Sequence, residues 1–129
     1  MCQLISVKTN FNTEIEVADI KKDVIENVIE AAGVCTRICQ IILFGSVIES
    51  RCTEASDIDM VIISDTSRSR LYKDKGYREF LKRLHDRDDY EQVYDVICVN
   101  GIEEIYRYQD SVSLFRDVID CGKTLYGRA

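Results

Sequence analysis

Two aspartates, Asp57 and Asp59, stand two apart at the start of the run DIDMVII at 57–63. In a strand, side chains at i and i+2 face the same way, so both carboxylates would converge on one point. Two like charges side by side on an otherwise apolar strand are costly unless something compensates them. A divalent cation such as Mg2+ is a natural compensator, because it prefers carboxylate and phosphate oxygens. The same Asp-x-Asp spacing also suits a solvated strand start with Asp57 in a turn, and the pattern alone leaves both readings open. A third aspartate, Asp95, lies inside VYDVICV at 93–99, among β-branched and aromatic residues whose strand propensity it opposes. Such a local conflict is expected at a functional site; a hydrogen-bonded or edge-strand Asp is the plainer alternative. If the two strands are neighbours, three carboxylates meet and suit phosphoryl chemistry on one or two divalent ions.

Gly45-Ser46 ends the apolar run ICQIILF at 38–44. Glycine there lets the backbone approach a ligand closely. The residues after it could open a helix whose unpaired N–H groups favour an anion such as phosphate, with Ser46 adding a hydroxyl. Taken alone, Gly-Ser reads first as a plain strand-ending turn.

These residues need elements to hold them. Thr13 followed by Glu16 has the form of a capping box, and Val17, Ile20, Val24, Val28 and their neighbours form an apolar stripe at helical spacing up to Gly33. That predicts a first helix ended by Gly33 at positive φ. Residues 38–44 and 57–63 read as buried strands, and 64–70 as a polar loop. Tyr77, Phe80, Leu81 and Leu84 predict a helix through 73–85, broken by the charged stretch 86–91. Residues 92–100 alternate as a third strand, with Val93, Asp95, Ile97 and Val99 on one face and Tyr94, Val96 and Cys98 on the other. A short helix over 102–108 and a last one over 111–121, capped by Asp110 and stopped by Gly122, complete the reading. The expected fold is α/β (α+β), one domain over residues 1–129 with a small mixed central sheet flanked by helices.

Composition narrows the function. The formal net charge of −6 argues against sequence-independent nucleic-acid binding, which needs surplus Lys and Arg to displace counterions. It leaves room for a small anionic ligand, since a metal supplies positive charge locally. The six cysteines include none at C-x-x-C spacing, and several sit in apolar runs, so free thiols in a reducing compartment are expected. No apolar stretch reaches membrane-spanning length, which makes a cytoplasmic, membrane-free protein the expectation. His85, the only histidine, reads as a surface residue beside Asp86 and Asp88. Arg68, Arg70, Lys73 and Lys75 read as a solvated basic patch, and Tyr106 and Tyr108 as either core or partner surface.

With Phe44-Gly45-Ser46, Ser56-Asp57-Ile58-Asp59, the spacing between them and the later Asp95, the chain resembles the minimal nucleotidyltransferases of the DNA polymerase β-like superfamily. The closing segment SLFRDVIDCGKTLYG at 113–127 is similar to that family's last helix and short strand. The resemblance implies the nucleotidyltransferase fold and transfer of a nucleoside monophosphate, AMP from ATP, to a hydroxyl acceptor with release of pyrophosphate. It implies Asp57, Asp59 and Asp95 as catalytic and metal-binding residues around a two-ion Mg2+ site, and Gly45 and Ser46 as nucleotide-binding. It further implies a small helical HEPN-type protein as partner and acceptor, the chain then being the antitoxin of a toxin–antitoxin pair. The chain departs from the family's habit of an Arg after Gly-Ser and a Gly a few residues on. Val47 and Ser50 hold those places, with Ile48, Glu49 and Arg51 around them. A non-catalytic antitoxin that only covers its partner, and a standalone small-molecule nucleotidyltransferase, are the alternatives.

Overall fold

The computed structural model describes residues 2–87 and 91–128. It opens on a hairpin. Strand β1 (Leu4–Lys8) pairs antiparallel with β2 (Glu14–Ala18), in register from Leu4↔Ala18 to Lys8↔Glu14. The helix start expected at Thr13 and Glu16 is therefore wrong. Thr13 instead closes the hairpin: its carbonyl accepts from the Thr9 amide at 2.9 Å, and the two threonine hydroxyls lie 2.7 Å apart. Asn12 takes the left-handed turn conformation at φ 65°. Ile15 and Val17 alternate with Glu14 and Glu16, and this period of two, backed by the packing of Val17 in the core, overrides the helical pattern.

Helix α1 (Lys22–Ala32) begins after a 3-10 turn over Asp19–Lys21. It ends at Gly33, but with φ −62° rather than the positive φ expected. Strands β3 (Ile38–Phe44) and β4 (Ile58–Ser64) fall within one residue of expectation. The expected polar loop after β4 contains a helix, α2 (Arg68–Lys73). The Ser67 hydroxyl caps it by accepting from the Arg70 amide, and Leu71 anchors it in the core. Helix α3 (Lys75–Asp86) is capped by Asp74, whose carboxylate accepts from the Tyr77 amide at 3.0 Å. Of the charged stretch expected to end it, residues 88–90 lie outside the described residues. Strand β5 (Tyr94–Asn100), helix α4 (Glu103–Arg107), helix α5 (Ser113–Cys121) and strand β6 (Lys123–Gly127) follow. Asp110 does not cap α5; it lies 2.7 Å from the Arg116 guanidinium.

The main sheet has the order β5-β4-β3-β6, with β3 antiparallel to both neighbours and β4 parallel to β5. It is mixed, as expected. Alternation along the strands builds two cores. Ile58, Met60 and Ile62 of β4 join Leu43, Leu125 and Cys98 on the face covered by α1 and α3, against Ile25, Val28, Phe80 and Leu84. Val61 and Ile63 join Ile42, Phe44 and Val99 on the other face, against Ile105 of α4 and Phe115 and Val118 of α5. Burying each large side chain contributes about 1.5–3 kcal/mol, which fixes both faces and hence the side to which every strand residue points.

Candidate active site

Asp59 belongs to the α4–α5 face by its parity with Val61 and Ile63. Its register partners are Asp95 on β5 and Phe44 on β3. The sheet thus sets Asp59 and Asp95 side by side, within hydrogen-bonding reach of one another. Asp57 lies one residue before β4, near enough for its charge to act on Asp59. The Asp59 carboxyl is pushed up to about 6, first by burial, then by the hydrogen bond and charge of Asp95 and the charge of Asp57, with Arg51 opposing. A carboxyl group held this way ionises at a cost, which a bound cation would offset.

Gly45 occupies the left-handed region at φ 76°, and a Cβ placed on it would collide with the Asp59 carboxylate. Only glycine fits this junction of β3 and the 3-10 turn Gly45–Ile48, so the turn passes directly beside the carboxylate. The helix opening expected after Gly45 is that single short turn. Ser46 is half-buried within it, its carbonyl accepting from the Glu49 amide at 2.9 Å. Val47, in the place where an Arg was expected, is fully buried in the α1–α3 core.

Two adjoining cavities open at this end of the sheet, sharing Phe44, Asp59 and Leu114. One, of about 300 Å³, is lined also by Gly45, Glu49, Arg51, Asp117 and Cys121. The other, of about 360 Å³, is lined also by Asp95, Val96 and Ile97. Asp57 lines neither. Among the described residues no three His, Cys, Asp or Glu side chains are gathered into one metal-binding group. The three expected carboxylates therefore arrive as a close pair, Asp59 and Asp95, with Asp57 at the edge. The pair fits magnesium, which is commonly held by one or two carboxylates together with substrate phosphates rather than by an all-protein cage.

Sequence reasoning did not find the α5 wall. Leu114, Asp117 and Cys121 sit three and four residues apart, a stripe beside the buried Phe115 and Val118. Helical spacing was the available signal, but which stripe borders a cavity depends on how α5 packs. Glu49 and Arg51, joined by an ion pair, line the same cavity.

Other candidates lie elsewhere. His85 is half-buried and packs edge-on against Tyr94, at a centroid distance of 5.6 Å, on the sheet face away from the carboxylates. Arg68 donates through Nε to the Cys98 carbonyl at 2.6 Å and pairs with Glu104, while Arg70, Lys73 and Lys75 are exposed. Tyr106 and Tyr108 are exposed as well. All six cysteines are free, and no helix among the described residues is long and apolar enough to cross a membrane.

No curated protein matches the chain. The family model described as polymerase beta, nucleotidyltransferase, matches residues 25–129, a span that takes in Gly45, Asp57, Asp59, Asp95 and the α5 wall. The mixed sheet with its paired carboxylates beside a glycine turn and this match lead to one conclusion: the chain belongs to the polymerase beta nucleotidyltransferase family.

Proposed function

We propose that the chain transfers a nucleoside monophosphate, AMP from ATP, to a hydroxyl group, with magnesium held by Asp59 and Asp95 and assisted by Asp57. The observation that carries this reading is the Asp59↔Asp95 register pairing beside Gly45, at the mouth of two cavities. When bound, magnesium neutralises the crowded carboxylates and the phosphate oxygens and polarises the reacting phosphoryl group. The protein's own part is positioning. The Gly45 turn gives the phosphates close access to backbone, with Ser46 adding a hydroxyl. Arg51 stands on the cavity wall where it meets phosphate once released from Glu49. Asp95, the exposed member of the pair, is placed to accept the proton of the attacking hydroxyl. Leu114 and the α5 wall shield one side of the cleft from water.

A protein hydroxyl is the acceptor we favour, on a small helical HEPN-type partner, with this chain as the antitoxin. The acidic balance supports a protein over a nucleic-acid acceptor. The free thiols support a reducing, cytoplasmic setting. One observation favours a second reading, an antitoxin that neutralises by covering: Val47 points into the core where the family carries an Arg, so the triphosphate loses a cation there. Incubation with labelled ATP, magnesium and the neighbouring gene's product separates the readings. Label on the partner that disappears in Asp59→Asn supports adenylylation. Tight complex formation without label, unchanged in Asp59→Asn, supports covering. Label on a small molecule without any protein partner supports a standalone enzyme.

A further inference from the structure

Lys21 is 3% exposed, yet it carries a side chain that is costly to bury when charged. Its Nζ donates to the Glu54 carbonyl at 2.9 Å and to Gln92 Oε1 at 2.7 Å. The Gln92 amide nitrogen donates in turn to the Ser56 carbonyl at 3.1 Å and the Val93 carbonyl at 2.9 Å. Ile58 N–H donates to the same Val93 carbonyl at 3.0 Å, the bond that starts the parallel β4–β5 ladder. Three segments meet here: the turn before α1, the loop over residues 53–57 that delivers Asp57, and the entry to β5 that delivers Asp95. Among the described residues no carboxylate lies within ion-pairing distance of Lys21, so its ammonium is spent on a carbonyl and an amide that hold backbone. An apolar side chain of similar length would fill the same space without a desolvation cost, so packing alone does not account for a lysine.

We propose that Lys21 and Gln92 are positioning residues for the metal site: together they clamp the loop over residues 53–57 to the entry of β5, and so fix how Asp57 and Asp95 stand relative to Asp59. This rests on the proposed metal-dependent function. Neither residue touches the cavities; each acts through backbone that carries an aspartate. Outer groups that orient metal-binding residues typically cost 10–100-fold in metal affinity when removed.

The test is Mn2+ binding, followed by electron paramagnetic resonance, to the wild-type chain and to Lys21→Met, Gln92→Leu and Asp59→Asn, with the Tm of each measured without metal. The expected result is binding by the wild type, none by Asp59→Asn, and affinity lowered about tenfold or more in Lys21→Met and Gln92→Leu at a Tm near that of the wild type. Folded variants that bind Mn2+ as tightly as the wild type overturn the clamp and leave the metal site standing. If the wild type itself binds no Mn2+, the proposed function falls first and the clamp with it. Should Lys21→Met not fold, the half-exposed Gln92→Leu decides; if neither folds, the pair is structural and the positioning role is overturned.

Discussion

The two faces of the main sheet are built from the same strands by the same alternation, but they end differently. The face toward α1 and α3 is apolar along the whole of β4, from Ile58 through Met60 to Ile62, and helices cover it throughout. On the face toward α4 and α5, β4 and β5 are apolar only over Val61, Ile63, Ile97 and Val99. Beyond that it turns to Asp59 and Asp95, where α5 contributes the exposed Leu114 and Asp117 as a wall rather than a lid. One face spends its surface on stability. The other leaves its Asp59–Asp95 end open and charged, and there the Asp59 carboxyl is pushed up to about 6. A cleft therefore needs no special element; it appears where a covering helix stops short of strand ends that carry acids.

The comparison makes definite forecasts. Phe80→Ala, on the covered face, should lower unfolding free energy by about 3–5 kcal/mol in urea titration while leaving activity per folded molecule unchanged. Equal damage to activity and stability would mean that the faces are not separable. Asp59→Asn, on the open face, should do the reverse: loss of nucleotidyl transfer by about 10²–10³-fold or more, measured as labelled product, with stability unchanged or raised. Gly45→Ala should cost about 1–2 kcal/mol from the left-handed backbone alone and reduce transfer as well, since the new methyl displaces the Asp59 carboxylate. A Gly45→Ala enzyme of full activity would show that the turn does not set the carboxylate.

A subtler consequence concerns pH. The folded Asp59 titrates near 6, above its ordinary 3.8, so the folded state holds this proton more tightly than the unfolded chain. Stability linked to Asp59 is then fully present below about pH 4 and is lost as pH rises through 6. Without divalent metal, the wild-type minus Asp59→Asn stability difference should fall across that window, and added magnesium should reverse the fall. A flat difference in denaturation runs would remove the electrostatic contrast between the faces. The smallest effect belongs to neither face: Arg83→Ala, breaking the exposed pair with Glu79 at 3.1 Å, should change stability by about 0.3–0.5 kcal/mol.

Much of this was legible in the residues. Strands β3, β4 and β5 announced themselves through apolar runs, and α3 through Tyr77, Phe80 and Leu84. Asp95 was conspicuous because it opposed its strand. The hairpin was not legible, because Val17 suits a helical stripe as well as an alternating strand, and only pairing with β1 separates the two. Helix α2 was hidden by polar residues whose single anchor, Leu71, shows its role only once the core exists.

Chain order alone determined that three aspartates and a Gly-Ser turn would be available, because residue types and the two-residue strand period are properties of the sequence. Tertiary structure decided which of them meet. The parallel pairing of β4 with β5 brought Asp95 to Asp59, Asp57 falls just before β4, and the packing of α5 placed Leu114, Asp117 and Cys121 along the cavity. Register and helix placement are set by burying apolar area across distant segments, and no local pattern contains that sum.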